Sequence, residues 1–262
     1  MYIYSLEHKQ YLNKLRREKI IINISRLLIF IIFLIIWEML SRYKVINTFL
    51  FSSPSIIYNT CFNLFKEFNL FRHINVTLYE VLISFIITNI IGIIIASIMW
   101  RYKILSKIID PYITIINSLP KVSLGPLFII WVGANTKSII VMAITISLFT
   151  TIINIYNGFN NVNDNYVNLL RSFKASKSQI FRKVILPSNI NNIISTLKIN
   201  ISLCLIGVIM GELLVSKEGL GYLIMYGSNI FNLNLVIASV FILGIISYIM
   251  YFIINTIEKR LK

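Results

Sequence analysis

Long apolar runs alternate with short polar connections along the whole chain. Ile22 to Leu40 is the first run long enough to cross a bilayer, with Arg26 near its start and Glu38 near its end, where long side chains reach the interface. Further runs cover Val81 to Trp100, Tyr112 to Val132, Ser138 to Tyr156, Thr196 to Val215 and Leu235 to Ile257. Pro120 and Pro126 interrupt the third, which predicts a broken helix there. Backbone groups inside hydrocarbon must bond to one another, so each run predicts helix. The expected fold class is all-α, a polytopic membrane protein with six transmembrane helices. A cleaved signal peptide does not fit 22–40, which is too long and lacks a small-residue cleavage site.

Composition agrees with the pattern. Of 262 residues 57% are hydrophobic and 13% charged, about half the charge that clothes a soluble domain, and the mean hydropathy is +0.79. Three segments follow: a cytoplasmic arm at 1–21, a transmembrane domain at 22–257 with a long loop at 157–195, and a cytoplasmic tail at 258–262. Cys61 and Cys204 lie far apart in the chain and form neither a disulfide nor a metal pair by spacing.

The net charge of +15 would suggest nucleic acid in a soluble protein, but its placement says otherwise. The arm holds Lys9, Lys14, Arg16, Arg17 and Lys19; the loop after span two holds Arg101, Lys103 and Lys107; the loop after span four holds Arg171, Lys174, Lys177, Arg182 and Lys183; the tail holds Lys259, Arg260 and Lys262. Those 16 of the 25 basic residues share one side, against six on the other: Arg42, Lys44, Lys66, Arg72, Lys137 and Lys217. Arg26, Lys121 and Lys198 lie at or within spans. By the positive-inside rule both termini and the loop 157–195 are cytoplasmic, in a cell (plasma or inner) membrane, and no nucleic-acid partner is expected.

Two stretches outside the spans predict helices. Residues 53–70 read as a short amphipathic outer helix: Ser53 caps it, Pro54 suits its first turn, and Ile57, Cys61, Leu64, Phe65 and Phe68 recur at helical spacing. The loop 157–195 is unusually long for this chain. Leu169, Leu170 and Phe173 form one apolar face, and after Ala175-Ser176 a second helical pattern places Ile180, Phe181 and Val184 together. Ser176 caps that second helix, with Gln179 completing a capping box. Two short helices meeting at Ala175-Ser176 make a protruding elbow, stopped by Pro187.

The segment Asn168 to Pro187 resembles the cytoplasmic coupling loop of permease subunits of binding-protein-dependent ABC importers. That loop reads Glu-Ala-Ala, three residues, Gly, nine residues, then Ile-x-Leu-Pro. Ala175-Ser176, Ile180-Phe181, Arg182 and Val184-Ile185-Leu186-Pro187 fall at family positions. Asn168 replaces the acidic residue, and Lys174 replaces the Gly that relaxes the elbow, so Lys174 is expected in a left-handed conformation or the elbow to be built differently. The likeness runs from Ser52 to the C-terminus: Ser53-Pro54-Ser55, Asp110-Pro111, Leu119-Pro120-Lys121 through Pro126-Leu127, Trp131-Val132-Gly133, Gly211-Glu212-Leu213 and Gly219-Leu220-Gly221-Tyr222 are similar to the nitrate/sulfonate/taurine-type subgroup.

That resemblance implies a MetI-like ABC permease fold with an added N-terminal span. It also implies ABC ATPase subunits on the elbows, an extracytoplasmic solute-binding protein, a second permease copy in a homodimer, and membrane lipid around the bundle. The coupling residues it implies are Asn168, Leu170, Arg171, Phe173, Lys174, Ala175, Ser176, Ile180, Phe181 and Pro187, with Leu170, Phe173, Ala175, Ile180 and Phe181 seated in an ATPase groove. No Gly-x4-Gly-Lys-Ser/Thr loop occurs in the chain, so ATP hydrolysis belongs on a partner. Sulfonates, taurine, nitrate or bicarbonate, and vitamin precursors, all remain open as solutes.

Charged groups inside spans are candidate functional groups. Glu212 either lines the solute path or ties Gly219-Leu-Gly to the bundle. Lys121 follows Pro120 in the broken span, where transporters place solute contacts. Glu80 and Glu38 are expected at solvated span ends, and His73 is a lone outer-loop histidine without a second ligand. Gly207 and Gly211 form a Gly-x3-Gly pattern suited to close packing within the chain or between subunits. No nucleophile-base set, catalytic carboxylate pair or metal cluster is legible, so neither an enzyme nor a cofactor is expected. A secondary transporter or channel would show interrupted helices in both halves; a membrane anchor without transport is the other rival.

Overall fold

The computed structural model describes residues 6–67 and 69–261. Expectations placed on Phe68 and Lys262, and on the side chains of Lys9 and Arg260, lie outside the described residues. Among those described, every regular element is helical. Five helices are long and apolar enough to span: α1 (Leu6–Arg42), α4 (Leu70–Arg101), α7 (Thr136–Asn160), α11 (Ile190–Val215) and α13 (Leu233–Leu261). Between the first two lie α2 (Thr48–Phe51) and α3 (Pro54–Glu67). From Leu6 onward no break separates the arm from the first span, because α1 runs continuously through both.

The sixth candidate crossing is a bent pair. α5 (Lys103–Ser118) is followed by a 3-10 turn (Lys121–Leu124) and α6 (Gly125–Val132), the two halves bent by 85°. The expectation that both prolines break this span is corrected. Leu119 takes an extended ψ of 145°, as a residue before proline prefers, and Pro120 alone makes the bend. Pro126 occupies the first turn of α6, where no backbone donor is needed. The span also begins earlier than Tyr112, and Pro111 lies inside α5 without ending it.

α4, α7 and α11 form the centre. Small residues set their separation: a Cβ on Gly207 would lie 2.4 Å from Ala143 Cα, and one on Gly211 3.0 Å from Ile139 Cα. The Gly-x3-Gly pattern therefore serves a contact within the chain. Polar side chains cross the same interfaces. Asn200 Nδ2 donates to Asn89 Oδ1 at 2.6 Å, and the Thr151 hydroxyl lies 3.0 Å from Asn200 Oδ1. Ser147 gives its proton to the Ala143 carbonyl, so its oxygen receives the Thr88 hydroxyl at 2.9 Å and the Cys204 thiol at 3.4 Å. Such bonds bind helices where lipid offers no competing partner.

The remaining helices wrap this centre. α12 (Leu220–Asn229) and α13 cover one side. α3 lies over α13 with Ile57 and Leu64 buried, and Ser53 Oγ accepts the Ile56 N–H at 3.3 Å, as a cap should. Glu38 ties α1 to this layer, accepting the Ser55 N–H at 3.1 Å and hydroxyl at 3.0 Å. Lys198 of α11 pairs with Glu258 and donates to Asn255 at 3.0 Å on α13.

Candidate coupling elbow and solute path

The elbow is built from caps. α8 (Asp164–Ser172) ends in a Schellman arrangement, the Ala175 N–H bonding the Leu170 carbonyl at 3.0 Å and the Lys174 N–H the Arg171 carbonyl at 2.8 Å. The residue between these bonds must be left-handed, and Lys174 has φ 58°. The chain then restarts at Ser176, whose Oγ accepts the Gln179 N–H at 3.3 Å while Gln179 Oε1 accepts the Ser176 N–H at 2.7 Å.

Pro187 does not stop the second helix. α9 (Lys177–Ile180) runs into a π-helical turn (Phe181–Ile185) and α10 (Leu186–Ser188). The wider turn lets the Leu186 N–H reach the Phe181 carbonyl just before the proline that lacks a donor. The chain turns only at Asn189, whose Nδ2 bonds the Ile185 carbonyl at 2.9 Å, and then enters α11.

The apolar faces divide. Ile180 is 4% exposed, and the Phe181 ring packs 5.2 Å from Trp100 and 5.4 Å from Phe159, centroid to centroid. These two residues therefore hold the elbow to the ends of α4 and α7. Leu170 and Ala175 are half-buried in the same cluster. Phe173, 74% exposed, and Leu169, 56% exposed, stand outward beside Lys174, Ser176 and Pro187, which are exposed too. Asn168 Oδ1 accepts from Arg171 Nη1 at 3.3 Å, so the position that is acidic in the family pattern offers the Arg171 cation a neutral amide acceptor along α8.

At the opposite end, Glu212 sits in a hydrogen-bonded clamp and is 1% exposed. Its Oε1 accepts the Thr77 hydroxyl at 2.6 Å and its Oε2 the Gly221 N–H at 2.5 Å. Thr77 also accepts the Leu220 N–H at 2.9 Å. Gly219 can have no side chain here, since its φ is 108° and a Cβ would strike the Glu212 carboxyl at 2.4 Å. His73 belongs to α4, not to a loop; its Nδ1 accepts the Gly219 N–H at 3.0 Å and its ring stacks on Tyr222. Arg72 pairs with Glu218 at 2.5 Å. Glu80 is fully buried rather than at a solvated span end, because α4 starts at Leu70 and carries it inside the bundle.

Lys121 is half-buried at the bend. Its Nζ donates to Asn117 Oδ1 at 2.9 Å, and the Thr150 hydroxyl donates to the same oxygen at 3.0 Å. This polar group joins the bend to α7. Sequence reasoning missed Asn117, Thr150 and Thr77. A signal for the last was present: Thr77, Glu80, Ser84 and Thr88 line one face of an otherwise apolar helix.

Residues 88–262 match the family described as binding-protein-dependent transport system inner membrane component. The chain belongs to that family. A probable ABC transporter permease protein of Haemophilus influenzae is 30% identical over 89% of this chain and 95% of its own. The formylaminopyrimidine transport permease protein ThiX of Halalkalibacterium halodurans is 27% identical over 89% and 93%. A putative aliphatic sulfonates transport permease protein of Bacillus subtilis is 25% identical over 86% and 82%. A structure of the MetNI methionine ABC transporter in an inward-facing conformation superposes with TM-score 0.66 at 19% identity, covering 74% of this chain and 96% of that one. The fold is thus that of a MetI-type permease, and the chain is the multi-pass inner-membrane permease subunit of an ABC importer, whose ATPase is a separate subunit.

Proposed function

We propose that two copies of this chain form the solute path, each receiving an ATPase subunit on its elbow, with a binding protein delivering solute at the opposite end. The observation that carries this reading is the capped elbow: its inner face is fixed to α4 and α7, while Phe173 and Leu169 are held outward with nothing among the described residues to cover them. A rigid elbow of this kind turns the closing of two ATPases into a rigid-body movement of the spans. The uneven distribution of basic residues supports a cytoplasmic elbow and cytoplasmic termini. Exposed Val122, Ile130 and Trp131 on the bent span support a second copy.

The solute fits a small organic anion of the sulfonate, taurine or nitrate type. Two observations support this, the sulfonate-permease relative and the Lys121 ammonium at the bend. A vitamin-precursor solute is the second reading, favoured by the relative named for formylaminopyrimidine.

Co-purification tests the assembly. The ATPase is expected to accompany the full chain and to be lost on Phe173→Asp, an exposed substitution that spares the fold. A variant that retained the ATPase in normal amount would contradict the elbow's role. The ligand preference of the binding protein then separates the two solute readings.

A further inference from the structure

A cavity of about 280 Å³ opens where the end of α4 meets the elbow. Its rim carries four cations: Arg101 closing α4, Lys103 opening α5, Arg171 on α8 and Lys177 on α9, against one lining carboxylate, Asp164. Among the described residues none of the four cations forms an ion pair. Arg171 meets the neutral Asn168 amide, and Arg101 lies 5.9 Å from the Tyr102 ring. Buried apolar side chains, Phe159 and Ile180 among them, also line it.

The position of the cavity narrows its occupant. It lies at the turn between two membrane-spanning segments, where Tyr102, Ile104 and Ile108 are 55%, 78% and 57% exposed beside the rim. Such side chains face acyl chains or interface, so the cavity opens at the edge of the bilayer. A small soluble anion would use the cations but leave the apolar part of the lining unused. A phospholipid headgroup with its glycerol uses both, and basic pockets between spans on the cytoplasmic side suit anionic headgroups.

We infer that this cavity seats the phosphate headgroup of an anionic phospholipid from the leaflet next to the elbow. The bound headgroup joins the end of α4 to α8 and α9 by charge where the described residues supply no ion pair. Lipid binding stands independently of the coupling reading; only an effect on uptake rests on it.

Native mass spectrometry of the full chain tests the site, with phosphatidylglycerol and phosphatidylcholine of equal acyl length as probes. Phosphatidylglycerol is expected to be retained at least tenfold better by the unaltered chain. The double variant Arg101→Gln/Lys103→Gln loses that preference, the charge-keeping Arg101→Lys/Lys103→Arg retains it, and Arg16→Gln/Arg17→Gln, equal in charge but away from the cavity, also retains it. An unchanged preference in the first variant overturns the inference, as does equal loss in the Arg16/Arg17 control. Glycerol 3-phosphate competing as well as the lipid would mark a free-anion site and overturn the lipid assignment.

Discussion

The Thr77 hydroxyl donates to Glu212 Oε1 at 2.6 Å and at the same time accepts the Leu220 N–H at 2.9 Å. One threonine thereby joins α4, the end of α11 and the start of α12. Its replacement by valine keeps the shape and removes both bonds, leaving a buried N–H and a carboxylate oxygen with fewer partners. The expected cost is about 3 kcal/mol, read as a lower unfolding temperature in detergent, with Thr77→Ser close to the unaltered chain. Equal stability of the valine and serine variants would show that the clamp contributes nothing.

The elbow carries strain that one substitution removes. Lys174 holds φ 58° where the Schellman turn favours glycine. Lys174→Gly is expected to stabilise the turn by about 1 kcal/mol, slowing hydrogen exchange of the Ala175 amide about fivefold. Lys174→Val, β-branched, should speed that exchange.

Close packing of α11 on α7 predicts a contrast between two glycines. A side chain on Gly207 meets the backbone of Ala143, whereas one on Gly244 of α13 meets nothing within 4 Å. Gly207→Val is expected to cost about 3 kcal/mol or more. Gly244→Ala should be neutral or stabilising by up to about 1 kcal/mol, because alanine is the better helix former. Thermal unfolding of the two variants in one detergent compares them directly.

The crossings were legible because lipid demands continuous apolar helices, and the elbow because Ser176 and Gln179 announce a cap. The absence of glycine at Lys174 left two readings open, a left-handed lysine or an elbow built differently, and the φ of 58° is the first. What could not be read was the direction each face takes. Ile180, Phe181 and Val184 share one helical face whether they meet a partner or Trp100 and Phe159, and only the assembled spans decide. Glu80 stood at the edge of an apolar window, but the helix extends past that window to Leu70 and buries the carboxyl. The Pro126 position misled for a similar reason: proline breaks a helix interior but suits a first turn, and the turn was set by Pro120.

Lys121 supplies a test of the anionic solute. If the ammonium at the bend meets the solute, Lys121→Gln should raise the KM for uptake about tenfold, the effect of losing roughly 1.4 kcal/mol of binding, while leaving ATPase association intact. Lys121→Arg should recover part of the loss. An unaltered KM in the glutamine variant would place the solute contacts elsewhere.

Uptake driven by ATP in proteoliposomes containing the chain, its ATPase and its binding protein tests the central claim most directly. Solute accumulation is expected to require all three proteins and ATP, and to fall to background with Phe173→Asp although the chain inserts and folds. Accumulation by the chain alone without ATP, or wild-type uptake by the Phe173→Asp protein, would contradict it.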